Sequence, residues 1–319
     1  MTQRVIVVGA GVIGLTSAVR LAEAGFDTHV LARDLPLETT SAVAGGLWLP
    51  YLAEPADRVA AWGRATLAEL VRLHRDATQA GVLLREGVLL FRTPPRRPAW
   101  ADAVASLTRL EPALDPAPGY RHGLVARLPL VDMTRYLPWL ARRLADAGGT
   151  VTRMPLPALP GRGIVVDATG VSARAMAHDP SVRPVRGQVA VLDNPGLTRW
   201  LVDEQDETGG ELTYVLPRGD HVVVGGTATA GDWDPAPDPD VARRILERAV
   251  AVEPRLHGVH VRAHRVGLRP VRPEVRLEAE PRDGGAVVHC YGHGGSGVTL
   301  SWGCADDVLR LVREAAGTG

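Results

Sequence analysis

The alternation of apolar and polar positions separates the chain into two kinds of segment. Near the N-terminus, short β-branched runs and a helical pattern surround glycine turns. Arg4–Val8 predicts a buried strand, Val12–Ala24 predicts a helix that ends at Gly25, and Thr28–Ala32 predicts a second strand. A strand, turn, helix and strand within about 30 residues are typical of a βαβ unit that binds a dinucleotide.

The rest of the chain changes pattern twice. Gly163–Val166 and Ala286–Tyr291 predict further buried strands, and Gly297–Ala315 predicts a helix. Between 185 and about 266, short alternating runs with turns, and one helix at Val241–Ala251, predict an antiparallel or mixed sheet. The pattern therefore predicts an α/β protein with a second domain inserted into the first.

Two further helices are predicted in the first half. One covers Glu54 to about Ala80, and the other covers Met133–Ala147 after the N-cap candidate Asp132. Pro138 should kink or shorten the second helix. Val82–Thr93 predicts two short strands or one bent strand.

Composition excludes several function classes. The 319 residues carry 36 basic and 36 acidic side chains, which favours neither nucleic acid nor an anionic membrane as a partner. Every basic residue is arginine, so neither a lysine Schiff base nor a P-loop lysine is available. The two cysteines, Cys290 and Cys304, lack CxxC spacing, so we expect buried free thiols and neither zinc nor dithiol chemistry. No signal peptide, membrane span or peroxisomal address is evident, and we expect a cytoplasmic protein.

A glycine-rich motif follows the first strand and opens the first helix. GAGVIG at Gly9–Gly14 matches GxGxxG: the first glycine allows a tight turn, the second lets the backbone approach a pyrophosphate, and the third packs helix against strand. The candidate cofactor contacts here are Gly9, Ala10, Gly11, Val12, Ile13 and Gly14.

The end of the second strand should read the ribose of that nucleotide. Asp34 can accept hydrogen bonds from ribose hydroxyls. Arg33 can stack on adenine, pair with phosphate, read the 2′-phosphate of NADP, or remain a solvated surface arginine.

A third segment, TTSAVAGGLWLPY, spans Thr39–Tyr51. Its hydroxyls can hold phosphate oxygens, and its glycines allow backbone to lie against a flat ring, although a polar loop before a helix has the same composition. The candidate cofactor contacts in it are Thr39, Thr40, Ser41, Gly45, Gly46 and Leu47.

Five segments in order, GAGVIG, ARDLPLETTSAVAGGLWLPY, DATGV, GLRPVRP and YGHGGSGVTLSWG, resemble the D-amino-acid oxidase family of FAD-dependent enzymes. The resemblance runs from residue 5 to about 312 and weakens between about 55 and 130. It implies FAD as cofactor and a Rossmann-type FAD-binding domain built from residues 1–54, 130–184 and 265–319. Residues 55–129 and 185–264 would form a substrate-binding and interface domain with a mixed or antiparallel sheet.

The resemblance also implies roles for individual residues. Arg269 would hold the substrate α-carboxylate, Tyr214 would share it through its hydroxyl, and the Gly295 carbonyl would accept from the substrate amine, with Ser296 beside them. A structural salt bridge for Arg269 and a core position for Tyr214 are the alternatives. The remaining implied cofactor contacts are Val171, Arg269, Gly294, Gly295, Gly297, Val298 and Thr299.

Three departures from the family's pattern affect the expected substrate. Gly210 stands where animal members carry a second tyrosine, and Ser296 stands where tyrosine is common, so the site should be more open. Ala228 stands where D-aspartate oxidases place an additional arginine, which favours neutral D-amino acids.

His293 and Cys290 could serve as acid and nucleophile, but His293 is better explained as orienting backbone. Arg276 could approach the flavin or form a surface ion pair.

The reaction predicted from the resemblance is oxidative deamination. Hydride passes from Cα to flavin N5, the imine hydrolyses to a 2-oxo acid and ammonia, and oxygen reoxidises the flavin to give hydrogen peroxide. The expected partners are a D-amino acid, oxygen and, as a homodimer, a second copy of the chain. The alternatives are a D-aspartate oxidase, a glycine or sarcosine oxidase, an NADP-dependent reductase and a non-catalytic flavin-binding protein. No metal is expected.

Overall fold

A computed structural model describes residues 3–50, 53–110, 117, 119–203 and 212–317. Gly210, from which the sequence predicted a more open site, lies outside these residues. The strands assigned within the described ranges are β1 (Arg4–Val8), β2 (Asp27–Ala32), β3 (Val82–Phe91), β4 (Leu107–Arg109), β5 (His122–Val131), β6 (Thr150–Arg153), β7 (Gly163–Asp167), β8 (Arg183–Asp193), β9 (Trp200–Asp203), β10 (Thr213–Arg218), β11 (His221–Gly225), β12 (Thr229–Ala230), β13 (Val261–Arg282) and β14 (Gly285–His293).

These strands form one continuous sheet with a parallel half and a largely antiparallel half. The parallel half has the order β14-β7-β1-β2-β6, as repeated βαβ connections require. The other half continues from β13 through β8, β11, β10 and β9 in antiparallel pairs, and β9 then pairs with β3 in parallel. The predicted α/β class is confirmed.

The helices are α1 (Val12–Glu23), α2 (Thr40–Val43), α3 (Ala56–Asp76), α4 (Met133–Asp146), α5 (Ala173–Met176), α6 (Pro239–Val252) and α7 (Gly297–Ala315). Helix α7 packs on α1 and α3 above the parallel half, and the Trp302 indole N–H donates to the Tyr136 hydroxyl at 2.7 Å within that core. The long apolar face of α7 is buried almost throughout because it is covered by helices on both sides.

One strand joins the two halves. The 22-residue β13 pairs with β8 over Val261–Val271 and with β14 over Val271–Arg282, with an irregularity between Val271 and Arg276. The domain boundary predicted at residues 264–265 therefore falls inside a strand. The division into two domains stays a prediction, and strand β13 belongs to both of the predicted domains.

Several sequence predictions match the structure to the residue, among them β1 and α7. Residues 82–91 form one strand, so of the two alternatives predicted there the single strand is the one observed. Helix α4 continues past Pro138 to Asp146, so the proline does not shorten it as expected. The Asp132 N-cap is confirmed, since its side chain accepts from the Thr134 backbone N–H.

Candidate functional site

A large cavity opens at the carboxyl ends of β1, β2 and β7 and extends across one face of the antiparallel half. Its volume is about 1050 Å³, at the upper end of the roughly 300–1,000 Å³ typical of ligand pockets. Among the described residues it collects nearly all of the positions singled out from the sequence, and glycines form much of its wall.

The first glycine motif forms a turn that has no room for a side chain at Gly9 or Gly14. Gly9 has φ of 116°, and a Cβ there would lie 2.4 Å from the Ala168 carbonyl oxygen. A Cβ on Gly14 would lie 1.9 Å from the Gly9 oxygen. The N-terminus of α1 therefore faces the cavity, and its free N–H groups and positive dipole end suit a phosphate.

Three hydroxyl groups lie beside this helix end, and they differ in whether they can still donate a hydrogen bond to a phosphate. Thr39 donates to the Pro36 carbonyl oxygen at 2.8 Å, and Thr40 donates to that of Leu268 at 3.3 Å. Ser41 Oγ accepts from the Val12 N–H at 3.0 Å, which leaves its own hydrogen available to a phosphate. Ser41 is therefore the best placed of the three.

The end of β2 carries the two residues predicted to read the ribose. Arg33 and Asp34 both line the cavity and pair with each other at 2.6 Å, with the Arg33 side chain 67% exposed. The hydrogen bonds that the Arg33 guanidinium donates to Asp34 raise the pKa of Arg33. Asp34 keeps unused acceptor lone pairs for a ribose, whereas the exposure of Arg33 fits a largely solvated cation.

A buried arginine supports the next part of the wall and was missed in the sequence. The Arg218 guanidinium lies behind the loop at Gly45 and Gly46 and donates to the carbonyl oxygens of Ala44 (2.6 Å) and Gly45. Burial lowers the pKa of Arg218 to about 10. A solvent-exposed arginine after a strand has the same local sequence, so no signal in the sequence marks this role.

Alternate residues of three distant strands form the other wall. They share one face of the antiparallel half, as the two-residue period of a strand requires. The lining positions are Gly187 and Val189 on β8, Leu212, Tyr214 and Leu216 at β10, and Gly267 and Arg269 on β13.

Arg269 lies across this wall with its charge uncompensated by any described carboxylate. Its Nη1 donates to the Thr227 carbonyl oxygen at 2.8 Å, and within the described ranges no Asp or Glu oxygen is recorded in ion-pair contact with it. A Cβ on Gly187 would lie 2.4 Å from Arg269 Nη1, so the missing side chain makes room for the guanidinium. A half-buried fork of this kind is suited to a carboxylate ligand.

Tyr214 packs over a second glycine on the same face. A Cβ on Gly225, its cross-strand partner, would lie 2.6 Å from the Tyr214 hydroxyl oxygen. The tyrosine ring also faces Gly45, where a Cβ would lie 3.7 Å from Cε2. Tyr214 therefore joins the antiparallel wall to the glycine loop of the other wall.

The turn after β14 closes the cavity. Gly294 has φ of 55°, and its N–H donates to the Pro270 carbonyl oxygen at 2.9 Å, while Gly295 is exposed toward the cavity. Helix α7 starts directly after this turn, and Gly297 and Val298 line the cavity with its positive end. Val171, Ala10, Gly11, Ile13, Gly45, Gly46 and Leu47 also line it.

Three predicted contacts lie outside the lining. Ser296, expected beside the substrate, is fully buried at the N-cap of α7. The Thr299 hydroxyl is occupied with the backbone N–H and C=O of Leu49, and Gly14 serves the turn itself. Their contact with a ligand stays a prediction, and the contacts described here hold the fold around the cavity.

Two further side chains, Arg276 and Trp233, were placed by the structure in positions that the sequence had left open or not indicated. Arg276 pairs with Glu278 at 2.7 Å and donates to the Tyr291 hydroxyl, so the alternative of a surface ion pair fits better than a flavin contact. Trp233 lines the cavity while 48% exposed, an aromatic side chain at the rim that the sequence analysis had not considered.

A polar cluster that spacing alone did not predict lies at the cavity floor. Cys290 and Cys304 are free and buried, as expected, but they meet beside His293. Cys290 Sγ lies 3.9 Å from His293 Nε2, and the potential ligand atoms of all three residues lie within 4.8 Å of one another. Because the cysteines come from a strand and a helix, only the packing of α7 on β14 brings them together.

Comparison with known proteins agrees with this geometry. The family model described as DAO, FAD dependent oxidoreductase, matches residues 4–311. A D-amino-acid oxidase of Rubrobacter xylanophilus is 48% identical over 98% of this chain and 96% of that protein. A D-aspartate oxidase of Homo sapiens is 37% identical over 98% of this chain and 95% of its own length. Among solved structures, a glycine oxidase of Geobacillus kaustophilus superposes with a TM-score of 0.81 at 21% identity, covering 98% and 95% of the two chains, which shows the fold.

Proposed function

Because the chain belongs to the DAO family of FAD-dependent oxidoreductases, we propose that it is a D-amino-acid oxidase acting on neutral D-amino acids. The products are a 2-oxo acid, ammonia and hydrogen peroxide. The observation that carries the proposal is the Arg269 guanidinium, which faces the cavity with no described carboxylate beside it. The D-amino-acid oxidase that is 48% identical to the chain supports the same activity.

The residues of the cavity fit FAD. Gly9 and Gly11 keep the turn free of side chains, the N-termini of α1 and α7 both point inward, and Asp34 stands at the end of the adjoining strand. This donor set matches a dinucleotide: N–H groups for a pyrophosphate and a carboxylate for a ribose. The volume of about 1050 Å³ leaves room for a substrate as well.

When bound, FAD would supply the hydride acceptor and the redox chemistry that reaches oxygen. The protein's own groups orient the amino acid. Arg269 makes two parallel charge-assisted hydrogen bonds to the α-carboxylate, Tyr214 donates a third through its hydroxyl, and the Gly295 carbonyl accepts from the amine. These contacts fix two Cα substituents, the carboxylate and the amine. In one enantiomer the remaining hydrogen then faces the acceptor, and in the other the side chain does, so only one enantiomer can react. No side chain has to act as a base.

The preference for neutral side chains is supported by the wall beyond the clamp. Val202, Leu212 and Leu216 are apolar and line the cavity next to Tyr214. Ala228, where D-aspartate oxidases place an arginine, offers no charge to a side-chain carboxylate. The D-aspartate oxidase alternative therefore needs a cation that none of these wall residues supplies.

The test is the visible spectrum of the purified protein under anaerobic conditions. We expect flavin absorbance that bleaches with D-valine or D-methionine and stays unchanged with L-valine or NADPH. Faster bleaching by D-aspartate would replace the neutral substrate class, and bleaching by glycine but not D-alanine would favour a glycine oxidase. A flavin that stays oxidised with every D-amino acid would refute catalysis.

Location and assembly stay predictions. No helix in the described ranges combines the length and apolar character needed to cross a membrane. A cytoplasmic enzyme and a homodimer remain the expectations, and size-exclusion chromatography with light scattering tests the second.

A further inference from the structure

The cluster of Cys290, His293 and Cys304 takes no part in the proposed reaction. Cys290 lies on β14 and Cys304 on α7, and these are the only cysteines of the chain. Both side chains are at most 1% exposed, and their sulfur atoms lie within 4.8 Å of each other. Two thiols this close, with no third cysteine to compete, can form only one intramolecular bond.

The two thiols differ in their surroundings. Hydrogen bonding from Cys304, and then from His293, lowers the pKa of the Cys290 thiol below its ordinary value. Burial, and then Cys290 itself, raises the pKa of Cys304. Cys290 also has His293 Nε2 at 3.9 Å, so it is the sulfur favoured to carry thiolate character, which is the nucleophilic form.

Access also differs between the two. Cys290 and His293 line the cavity, whereas Cys304 lies behind them, packed within α7. An oxidant that forms in the cavity or enters it from solvent therefore meets Cys290 before Cys304. A nucleophilic thiol with a second thiol behind it is the arrangement of a redox-sensitive pair.

From this geometry we propose that Cys290 and Cys304 form a reversible disulfide, made when hydrogen peroxide in the cavity oxidises Cys290. Cys290 is the site of modification, Cys304 resolves it, and His293 positions the reacting sulfur. The identity of the oxidant rests on the proposed function, because hydrogen peroxide is the product released at this cavity.

The chemistry balances in two steps. The Cys290 sulfur attacks one oxygen of hydrogen peroxide, the O–O bond breaks, and the departing hydroxide takes a proton to become water. Cys290 is then a sulfenic acid. The Cys304 sulfur displaces its hydroxyl group, an S–S bond replaces the S–O bond, and a second water leaves. Two thiols have lost two electrons and two protons to one peroxide, and an external dithiol reverses the change.

The experiment exposes the flavin-loaded protein to reagent hydrogen peroxide without substrate, followed by mass spectrometry of alkylated peptides. We expect a disulfide-linked peptide pair containing Cys290 and Cys304 that disappears after dithiothreitol. Met154, 45% exposed and lining the cavity, reports the peroxide dose in the same sample. Two reduced thiols at a dose that oxidises Met154 would overturn the proposal.

Two matched variants assign the roles. In Cys304→Ser the sulfenic acid on Cys290 persists, and dimedone should trap it as an adduct. In Cys290→Ser, Cys304 should stay reduced at the same dose. The reverse pattern, or a metal ion at one equivalent that Cys290→Ser abolishes, would overturn the assignment and make the cluster a metal site instead.

A turnover arm separates this proposal from the proposed function. The holoenzyme is supplied with D-valine and oxygen, with and without catalase, while released peroxide is measured in a peroxidase-coupled assay. If turnover forms more disulfide than reagent peroxide does at the same concentration in solution, oxidation takes place within the cavity and the inference is supported. If no peroxide is released, the proposed function fails while the reagent-peroxide arm still decides the thiol chemistry. Peroxide release without disulfide formation would overturn the present inference alone.

Discussion

The two walls of the cavity are built by different means. The wall at the parallel strands presents backbone, with glycines where any Cβ would meet another main chain, as at Gly9 and Gly14. The wall on the antiparallel face presents side chains, with Tyr214 and Arg269 lying over glycines of the neighbouring strands. The first wall is formed by short contiguous sequence motifs, and the second is formed by strands that lie far apart in sequence.

This difference has a consequence for substitution. In the backbone wall an added methyl group collides with main-chain atoms that cannot move aside, so cofactor binding should fail together with the turn. In the side-chain wall a change removes one interaction and leaves the frame standing. Variants on the two walls should therefore separate loss of flavin from loss of turnover.

The largest effect is expected at the glycine turn. Gly9→Val places a Cβ 2.4 Å from the Ala168 oxygen at a φ that suits only glycine. We expect flavin binding to weaken at least a hundredfold, about 3 kcal/mol, measured as flavin absorbance per polypeptide after gel filtration. Gly161→Val is the control, because a Cβ at Gly161 would meet no atom within 4 Å and the residue lies outside the cavity lining. Equal retention in Gly9→Val would remove the turn from the cofactor site.

Arg269→Met should separate catalysis from cofactor binding. Loss of the charge-assisted pair should lower kcat/KM for D-valine by about two orders of magnitude, about 3 kcal/mol, with flavin retained. Arg269→Lys keeps a charge but not the planar fork and should recover only part of the activity. Wild-type turnover in Arg269→Met would end the assignment.

Arg218→Met tests a side chain on β10 of the antiparallel wall that holds the glycine loop of the backbone wall in place. Methionine occupies part of the volume of the arginine but cannot donate to the Ala44 and Gly45 carbonyl oxygens. We expect the dissociation constant of flavin to rise about tenfold, with a smaller change in the KM of D-valine, both from titration of the apoprotein and steady-state kinetics. A change in KM alone would place Arg218 with the substrate instead.

Tyr214→Phe should affect the substrate and leave the cofactor alone. The ring still packs over Gly225, and only the hydroxyl is lost. We expect KM for D-valine to rise about tenfold, as for one hydrogen bond to a charged group. An unchanged KM across several D-amino acids would return Tyr214 to the core.

The smallest effect is expected for Arg33→Ala. The Arg33–Asp34 pair is largely exposed, so its loss should cost under about 1 kcal/mol in unfolding and change flavin binding by less than about fivefold. Chemical denaturation and flavin titration measure the two effects. A large loss of binding would give Arg33 a phosphate contact.

The sequence predicted the backbone wall well because its signals are local. Residues 4–8, the following GxGxxG turn and the helix at 297–315 each carry their own hydrophobic period and stop signals. The side-chain wall was predicted only through the family resemblance. The local sequence of β10 does not indicate that Tyr214 and Leu216 face the same cavity as Arg269, because the order of strands in the sheet depends on pairing between distant segments.

Other features escaped both routes. The burial of Ser296 and the occupied hydroxyl of Thr299 depend on how α7 sits on its neighbours. The meeting of Cys290 with Cys304 depends on the same contact. Such features follow from packing between elements, which neither a period nor a motif encodes.

The shared strand β13 has a further implication for how substrate range can change. Arg269, the proposed carboxylate ligand, lies on the strand that joins the two halves of the sheet, and the Gly294 N–H donates to Pro270 of the same strand. The apolar residues proposed to meet the substrate's variable group, Val202 and Leu216, belong instead to β9 and β10. Selection, or a protein engineer, can therefore remodel which amino acids are accepted while the stereochemical frame is inherited unchanged.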